Sequence, residues 1–394
     1  MKLKTKYNFI VFLLILIIFQ FYFVNILPIT FLGFSFYLSL FLILTFAIFL
    51  LTIKTQKKDN IILFVGFLFL YLFVSFVRYL LYSSDSDILS KLIMNFAFYL
   101  PPVFLMLTSD LGTLFNKKLP RVLLLLLLTQ AILAVLFILG LPTINLLTDD
   151  LPDGYLRYVG IMGGANVNAN FNTLIMTVLL LSPNKYTISK KIFIITLGII
   201  STAPSFTKLS FLVTFVIIGY VIYDFIKTNN SKAIWLFIPL IVISSFFLIK
   251  NNSKTLSSIR TVDRIISTVE NGGDKNRADK YAFGLSLVLS DLTSFVIGPA
   301  SERKTGRYVE FSDNSFLQMP LSLGFPIFIL FLLLIKKLSK YSKHYITKES
   351  TIYLLILLIT FFLNNAILWI PWLFLASIGY WSIVMKKSVK QNFN

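Results

Sequence analysis

The sequence predicts an all-α polytopic integral membrane protein of about twelve transmembrane helices, with one large extracytoplasmic loop containing amphipathic helices. Three observations carry that prediction. Of 394 residues, 57% are hydrophobic and 16% aromatic, more than the core of a soluble domain absorbs. The apolar residues fall in runs of ~18 or more, the length that crosses a bilayer. Lysine and arginine gather between alternate pairs of runs, which is the signature of cytoplasmic loops. The chain therefore divides into an N-terminal bundle over 1–250, a large outer loop over 251–315, and C-terminal spans with a cytoplasmic tail over 316–394.

In order, the first span is expected at 9–27, behind Lys2, Lys4 and Lys6. It is too long for a signal peptide and no small-residue cleavage site follows it. The second covers 31–53 and exits at Lys54, Lys57 and Lys58; the third covers 61–81 and leads into the acidic turn at Asp85 and Asp87. The fourth, 88–107, contains Pro101-Pro102 and should kink there. A fifth at 122–141 ends before Asp149, Asp150 and Asp153, which read as a solvated turn. The sixth, 168–181, is entered through the polar string Gly163 to Asn170.

The run 192–226 is too long for one helix and contains Pro204, so it is expected to form a hairpin of two spans broken at 201–208. A ninth span at 234–249 precedes the outer loop. Within the loop, Leu256, Ile259, Val262, Ile266 and Val269 recur at helical spacing. Asn271-Gly272-Gly273 ends that helix. A second, capped by Asp274 or Asn276, should carry Tyr281, Leu285, Val288 and Leu292. The tenth span is expected at 316–335. The block 352–385 is long enough for two more if it turns near Asn364-Asn365.

Charge tests this pairing. Clusters at Lys117, Lys118 and Arg121, at Lys185, Lys190 and Lys191, at Lys336 and Lys337, and at Lys386 and Lys387 all fall on one side. Short loops on the other side hold only Lys91, Arg157 and Lys208. Both termini are then cytoplasmic and the loop lies outside. The net charge of +19 is mostly this topological signal, and no nucleic-acid partner is expected. The absence of cysteine excludes disulfides and thiolate chemistry. The single histidine, His344, falls on the cytoplasmic side, so histidine triads and histidine metal sites are not expected. No glycine-rich phosphate loop or zinc pattern is present. No metal and no cofactor is expected.

The outer face is nearly balanced in charge but has clustered arginines, which suits a doubly anionic substrate. Arginine's planar fork bonds two phosphate oxygens and keeps its charge at any physiological pH. Arg78, near the outer end of the third span, either snorkels to the headgroups or serves the site, and Lys208 divides between the same readings. Asp313-Asn314 either caps the tenth span or carries chemistry.

These residues carry a resemblance. Leu156-Arg157-Tyr158-Val159-Gly160 followed by Gly164-Ala165-Asn166-Val167-Asn168 resembles the arginine–glycine–asparagine string of the O-antigen polymerase and ligase superfamily. Arg277 with Tyr281, then Ile297-Gly298-Pro299, is similar to that superfamily's later arginine–aromatic segment. Asp313-Asn314-Ser315-Phe316, leading to Leu323-Gly324-Phe325-Pro326, is similar to the motif joining its large loop to the next span. The chain has Asp313 where ligase-like members commonly have histidine, and Lys208 where the family's hairpin has arginine.

The resemblance implies a glycosyltransferase of GT-C-like architecture in the bacterial cytoplasmic membrane, working without a metal. Its substrate would be a polyprenyl-pyrophosphate-linked oligosaccharide, polymerised into O-antigen or capsule. Membrane lipids, a flippase and a chain-length regulator are the implied partners. Arg157 and Arg277, with Arg264 as a third, are assigned to pyrophosphate, and Arg78 and Lys208 join that candidate set. Asp313 is the expected base, with Asn314 orienting it or a sugar hydroxyl. A ligase that transfers finished glycan to lipid A core is the close alternative. A polysaccharide flippase is the alternative of another class, although no internal repeat of the transporter kind is present.

Overall fold

The computed structural model describes residues 9–10, 12–13, 16–17, 30–31, 34–52, 58–82, 119–139, 148–150, 156–158, 160, 165–182, 186–205, 207–229, 275–298, 320–321, 324–342, 347–363 and 370–383. Among them the chain is predominantly α-helical, with two short antiparallel ladders. It divides into two compact units, one of 1–122, 181–183 and 275–394, the other of 123–180 and 184–274.

In the first unit, strands β1 (Thr30–Phe31) and β2 (Phe34–Ser35) pair ahead of helix α1 (Phe36–Thr52). The predicted second span therefore starts later than hydropathy alone suggests. A two-pair ladder satisfies its backbone locally, and its apolar side chains make it indistinguishable from helix by composition. Helix α2 (Lys58–Tyr82) corresponds to the third span. Phe67, Tyr71 and Val74 are its buried face, while Ile62, Val65, Phe69, Phe73, Phe76 and Leu80 are exposed at the same three-and-four spacing. A helix apolar on its outer face as well as its inner one belongs in lipid.

The predicted fourth and ninth spans and the first amphipathic helix of the loop lie outside the described residues. The second loop helix is α7 (Lys275–Val288), but it stops short of Leu292, which opens a separate helix, α8 (Leu292–Ile297). Asp291 causes the split: its carboxylate accepts from the Ser294 backbone N–H at 2.7 Å and from the Ser294 hydroxyl at 2.8 Å, a local N-cap. These bonds, with one from the Ser290 hydroxyl, hold the exposed Asp291 carboxyl below its ordinary value.

Helix α9 (Phe325–Ser342) begins nine residues later than the predicted tenth span, behind Gly324 at φ 81°. Pro326 sits in its first turn, where a missing N–H is harmless. Helix α8 packs on α9 and on α2; the Phe295 and Phe325 rings stack at 4.8 Å. The final block forms the expected pair, α10 (Lys348–Leu363) and α11 (Ile370–Ile383). They are joined by a 2.7 Å bond from the Tyr353 hydroxyl to the Ala376 carbonyl and by an edge-on contact of Phe361 with Trp372.

The second unit takes in α3 (Leu119–Ile138) from Leu123 onward, the ladder of β3 (Thr148–Asp150) and β4 (Leu156–Tyr158), α4 (Ala165–Leu181), and the hairpin α5 (Ile188–Thr202) and α6 (Lys208–Asn229). The hairpin breaks where Pro204 requires it. A 3-10 turn over Ala203–Ser205 ends α5, since proline offers no N–H to continue the ladder. A Lys191–Asp224 ion pair at 3.1 Å ties the far ends of α5 and α6. Asp149 and Asp150, expected in a solvated turn, are instead backbone-paired strand residues, with Asp149 opposite Arg157.

Three described helical stretches are long and apolar enough to cross a membrane: Leu119–Ile138, Ile188–Ser205 and Leu209–Lys227. Their polarity is inverted relative to a soluble bundle. On α6, Leu212 and Phe215 are exposed while Ser210 and Thr214 are buried; on α3, Leu125 and Ile132 are exposed while Gln130 is fully buried. Polar groups inside and apolar groups outside is the arrangement that lipid favours.

Candidate functional site

The site is built around β4. A three-pair ladder is too short to hold its own position, so its placement depends on tertiary contacts. Tyr158, fully buried, supplies them at three points. Its ring packs 5.3 Å from Phe137, its hydroxyl donates to Gln130 Oε1 at 3.3 Å, and its carbonyl accepts from the Ser205 hydroxyl at 2.9 Å. Burial raises the Tyr158 phenol, so it stays protonated and remains a donor. Arg157 precedes Tyr158 in the strand, and Lys208 opens α6 three residues after Ser205.

Beyond Tyr158 the chain turns at Gly160, whose φ is 62°. Glycine is required there twice over. The left-handed conformation disfavours any side chain, and a Cβ would fall 2.3 Å from Asn168 Oδ1. That close approach brings the Arg157–Gly160 segment onto the first turns of α4.

The asparagines at the start of α4 were expected to be an entry string; they are helical and largely buried. Residues two apart on a helix face different ways, whereas those four apart share a face. Asn170 therefore turns to α6. Its amide donates to the Asn166 carbonyl at 2.7 Å and its oxygen accepts from the Ser210 hydroxyl at 3.2 Å. Ser210 in turn accepts from the Thr207 hydroxyl. Asn168 and Asn172 share another face, where Asn172 Nδ2 lies 3.4 Å from the Ser201 carbonyl. One turn further, Met176 packs on Gly198, where a Cβ would lie 2.3 Å from its sulfur.

Most hydroxyls in this interior are satisfied within their own helix. Thr173, Thr177 and Thr202 donate to carbonyls four residues back at 2.8, 2.7 and 2.8 Å. The amides are different. Both atoms of the Asn168 carboxamide, Asn172 Oδ1 and Gln130 Nε2 are buried without a hydrogen-bond partner. Each such atom costs about 1–3 kcal/mol, so a cluster in a packed interior calls for a reason.

Of the sequence-predicted site residues, Arg157 lies next to Tyr158 on the strand that bonds to Ser205, and Lys208 opens α6 three residues after that bond. Arg78, on α2, and Arg277, the third residue of α7, belong to the first unit, where both helices pack on α8. Arg264, Asp313 and Asn314 lie outside the described residues. Among the described residues, no group of three or more acidic, histidine or cysteine side chains is placed to hold a metal. Sequence reasoning passed over Ser205, Ser210 and Gln130. The signal available was the run Ser201 to Ser210, rich in serine and threonine inside an apolar hairpin. Comparison of the chain with protein-family models finds no match, and comparison with curated proteins finds none either.

Proposed function

We propose that the chain is a glycosyltransferase that polymerises polyprenyl-pyrophosphate-linked oligosaccharide repeat units into O-antigen or capsular polysaccharide. In this reading about twelve spans in a GT-C-like architecture cross the bacterial cytoplasmic membrane, with both termini cytoplasmic and the large loop outside. One observation supports it above the others. The strand bearing Arg157 and the turn leading to Lys208 are joined by a buried hydrogen bond across 47 residues of sequence. An arginine on that strand and a lysine opening the helix after that turn suit a pyrophosphate better than a single surface charge does.

The chemistry needs little else. A hydroxyl of the acceptor sugar attacks the anomeric carbon of the donor; a new glycosidic C–O bond forms as the anomeric bond to the pyrophosphate breaks. The electron pair of the broken bond leaves with the polyprenyl pyrophosphate. Arg157 and Lys208 neutralise that leaving group, and Arg277, Arg264 and Arg78 are the further cations the sequence offers for it. Asp313 takes the proton of the attacking hydroxyl and Asn314 orients it.

Deletion in the native host tests the class. A polymerase leaves glycolipid capped with a single repeat; long lipid-linked chains beside bare acceptor would indicate the ligase instead. Arg157→Ala and Arg277→Ala should each abolish long polymer, with lysine rescuing partly because it lacks the fork. Lys304→Ala should retain substantial activity. Asp313→Asn should give the single-repeat product with the protein still in the membrane, and full activity there would remove Asp313 as the base. Equal tolerance at Arg157, Arg277 and Lys304 would favour a transporter.

A further inference from the structure

We propose that Ser205 is a positioning residue: by fixing β4 against the break ahead of Lys208, it sets the backbone position of Arg157 relative to the start of α6. The inference rests on the pyrophosphate reading above.

Ser205 is fully buried, and its hydroxyl reaches the Tyr158 carbonyl at 2.9 Å. Each end of that bond is itself pinned. On the strand side, Tyr158 is held by Gln130 and Phe137. On the hairpin side, Asn172 meets the Ser201 carbonyl before the break, and Asn170 holds Ser210 after it. Lys208 therefore lies between two anchored points, Ser205 and Ser210, and Arg157 lies next to a third. The β4 ladder has three pairs and cannot fix its own distance from α6. The Ser205 hydroxyl supplies that distance. A forked guanidinium must meet two phosphate oxygens at once, so a shift of the strand by a fraction of its width is felt at the ligand.

Nothing in this role requires Ser205 to touch substrate, and that separates it from a binding residue. It acts through Arg157. Its effect must then depend on what stands at position 157.

The test uses the full chain in lipid nanodiscs with a polyprenyl pyrophosphate as probe. Its affinity is measured in the wild type, Ser205→Ala, Arg157→Lys, the double variant and Arg157→Ala, with thermal unfolding alongside. Ser205→Ala is expected to weaken the probe roughly tenfold, and the double variant to bind no more weakly than Arg157→Lys alone. Such non-additivity is not produced by a general loss of stability, which would lower both backgrounds alike. Ser205→Cys keeps the volume and weakens the donor, so it should show the same loss in smaller measure. It is the variant read if alanine prevents accumulation, and wild-type affinity in it would then overturn the inference. An undiminished Ser205→Ala loss in the Arg157→Lys background overturns it as well. So does unchanged affinity in Ser205→Ala while Arg157→Ala binds weakly; the pyrophosphate reading survives that result. Unchanged affinity in Arg157→Ala removes both.

Discussion

Asn168 has a full carboxamide, no exposure and no hydrogen-bond partner, pressed against a glycine that admits no side chain. A residue selected for packing alone would be leucine, which has nearly the same shape. Asn168→Leu is therefore expected to stabilise the protein by about 1–3 kcal/mol, seen as a rise in Tm, because it removes two unsatisfied buried atoms. If the carboxamide serves the proposed site, the proposed polymerase activity falls in the same variant. Gain of stability with full activity would assign Asn168 to helix packing only. Asn170 is the internal contrast. Its amide and its oxygen are both bonded, so Asn170→Leu should destabilise rather than stabilise. Alternating asparagines in the sequence do not distinguish the two; the helical period does, once the helix and its neighbours are known.

At the scale of elements, Gly324 decides how α8 and α9 meet. Its φ of 81° disfavours any other residue, and a Cβ would lie 2.1 Å from the Val296 carbonyl oxygen, a backbone atom with no freedom to yield. Gly324→Ala is expected to destabilise the protein by at least about 2 kcal/mol, read as a fall in Tm with the Phe295–Phe325 stack disrupted.

The Asp291 cap of α8 adds a pH dependence with a definite sign. Its carboxyl is held below the ordinary value by the Ser294 and Ser290 bonds. Its contribution is therefore present above the ordinary carboxylate range and is lost as pH falls through the lower folded value. Acid unfolding of wild type should show this dependence, and Asp291→Asn should lack that component. An identical acid limb in the two proteins would mean that the cap does not titrate with folding. Two helix boundaries carry a proline in the sequence. Pro204 announced the hairpin break, because its ring removes a donor wherever it sits. Pro326, ten residues into the predicted tenth span, marks a helix start that hydropathy averaging hid. The β3–β4 ladder left no such mark, since three residues per strand are too few for a period to emerge.

For the whole molecule, orientation is the property on which the proposed outer site depends. Single cysteines at Ser267 and Ser301 should react with an impermeant thiol reagent in intact spheroplasts, while one at Ser342 should not. The native chain has no cysteine to interfere. The reverse pattern would place the arginine-rich loop on the wrong side for a lipid-linked donor presented outside.

The sequence by itself determined the membrane class, the hairpin of α5 and α6, and the presence of helix α7, though not its end before Leu292. These follow from sums over neighbouring residues: hydropathy over a run, the spacing of one helical face, a proline where a ladder must end. Only the tertiary structure decided that Arg157 stands beside the turn leading to Lys208, that Asn170 is satisfied while Asn168 is not, and that Ser205 joins two distant segments. The reason is physical. A hydrogen bond inside a packed interior is specified by which helix faces meet, and residues 40 or 47 positions apart carry no local trace of that meeting.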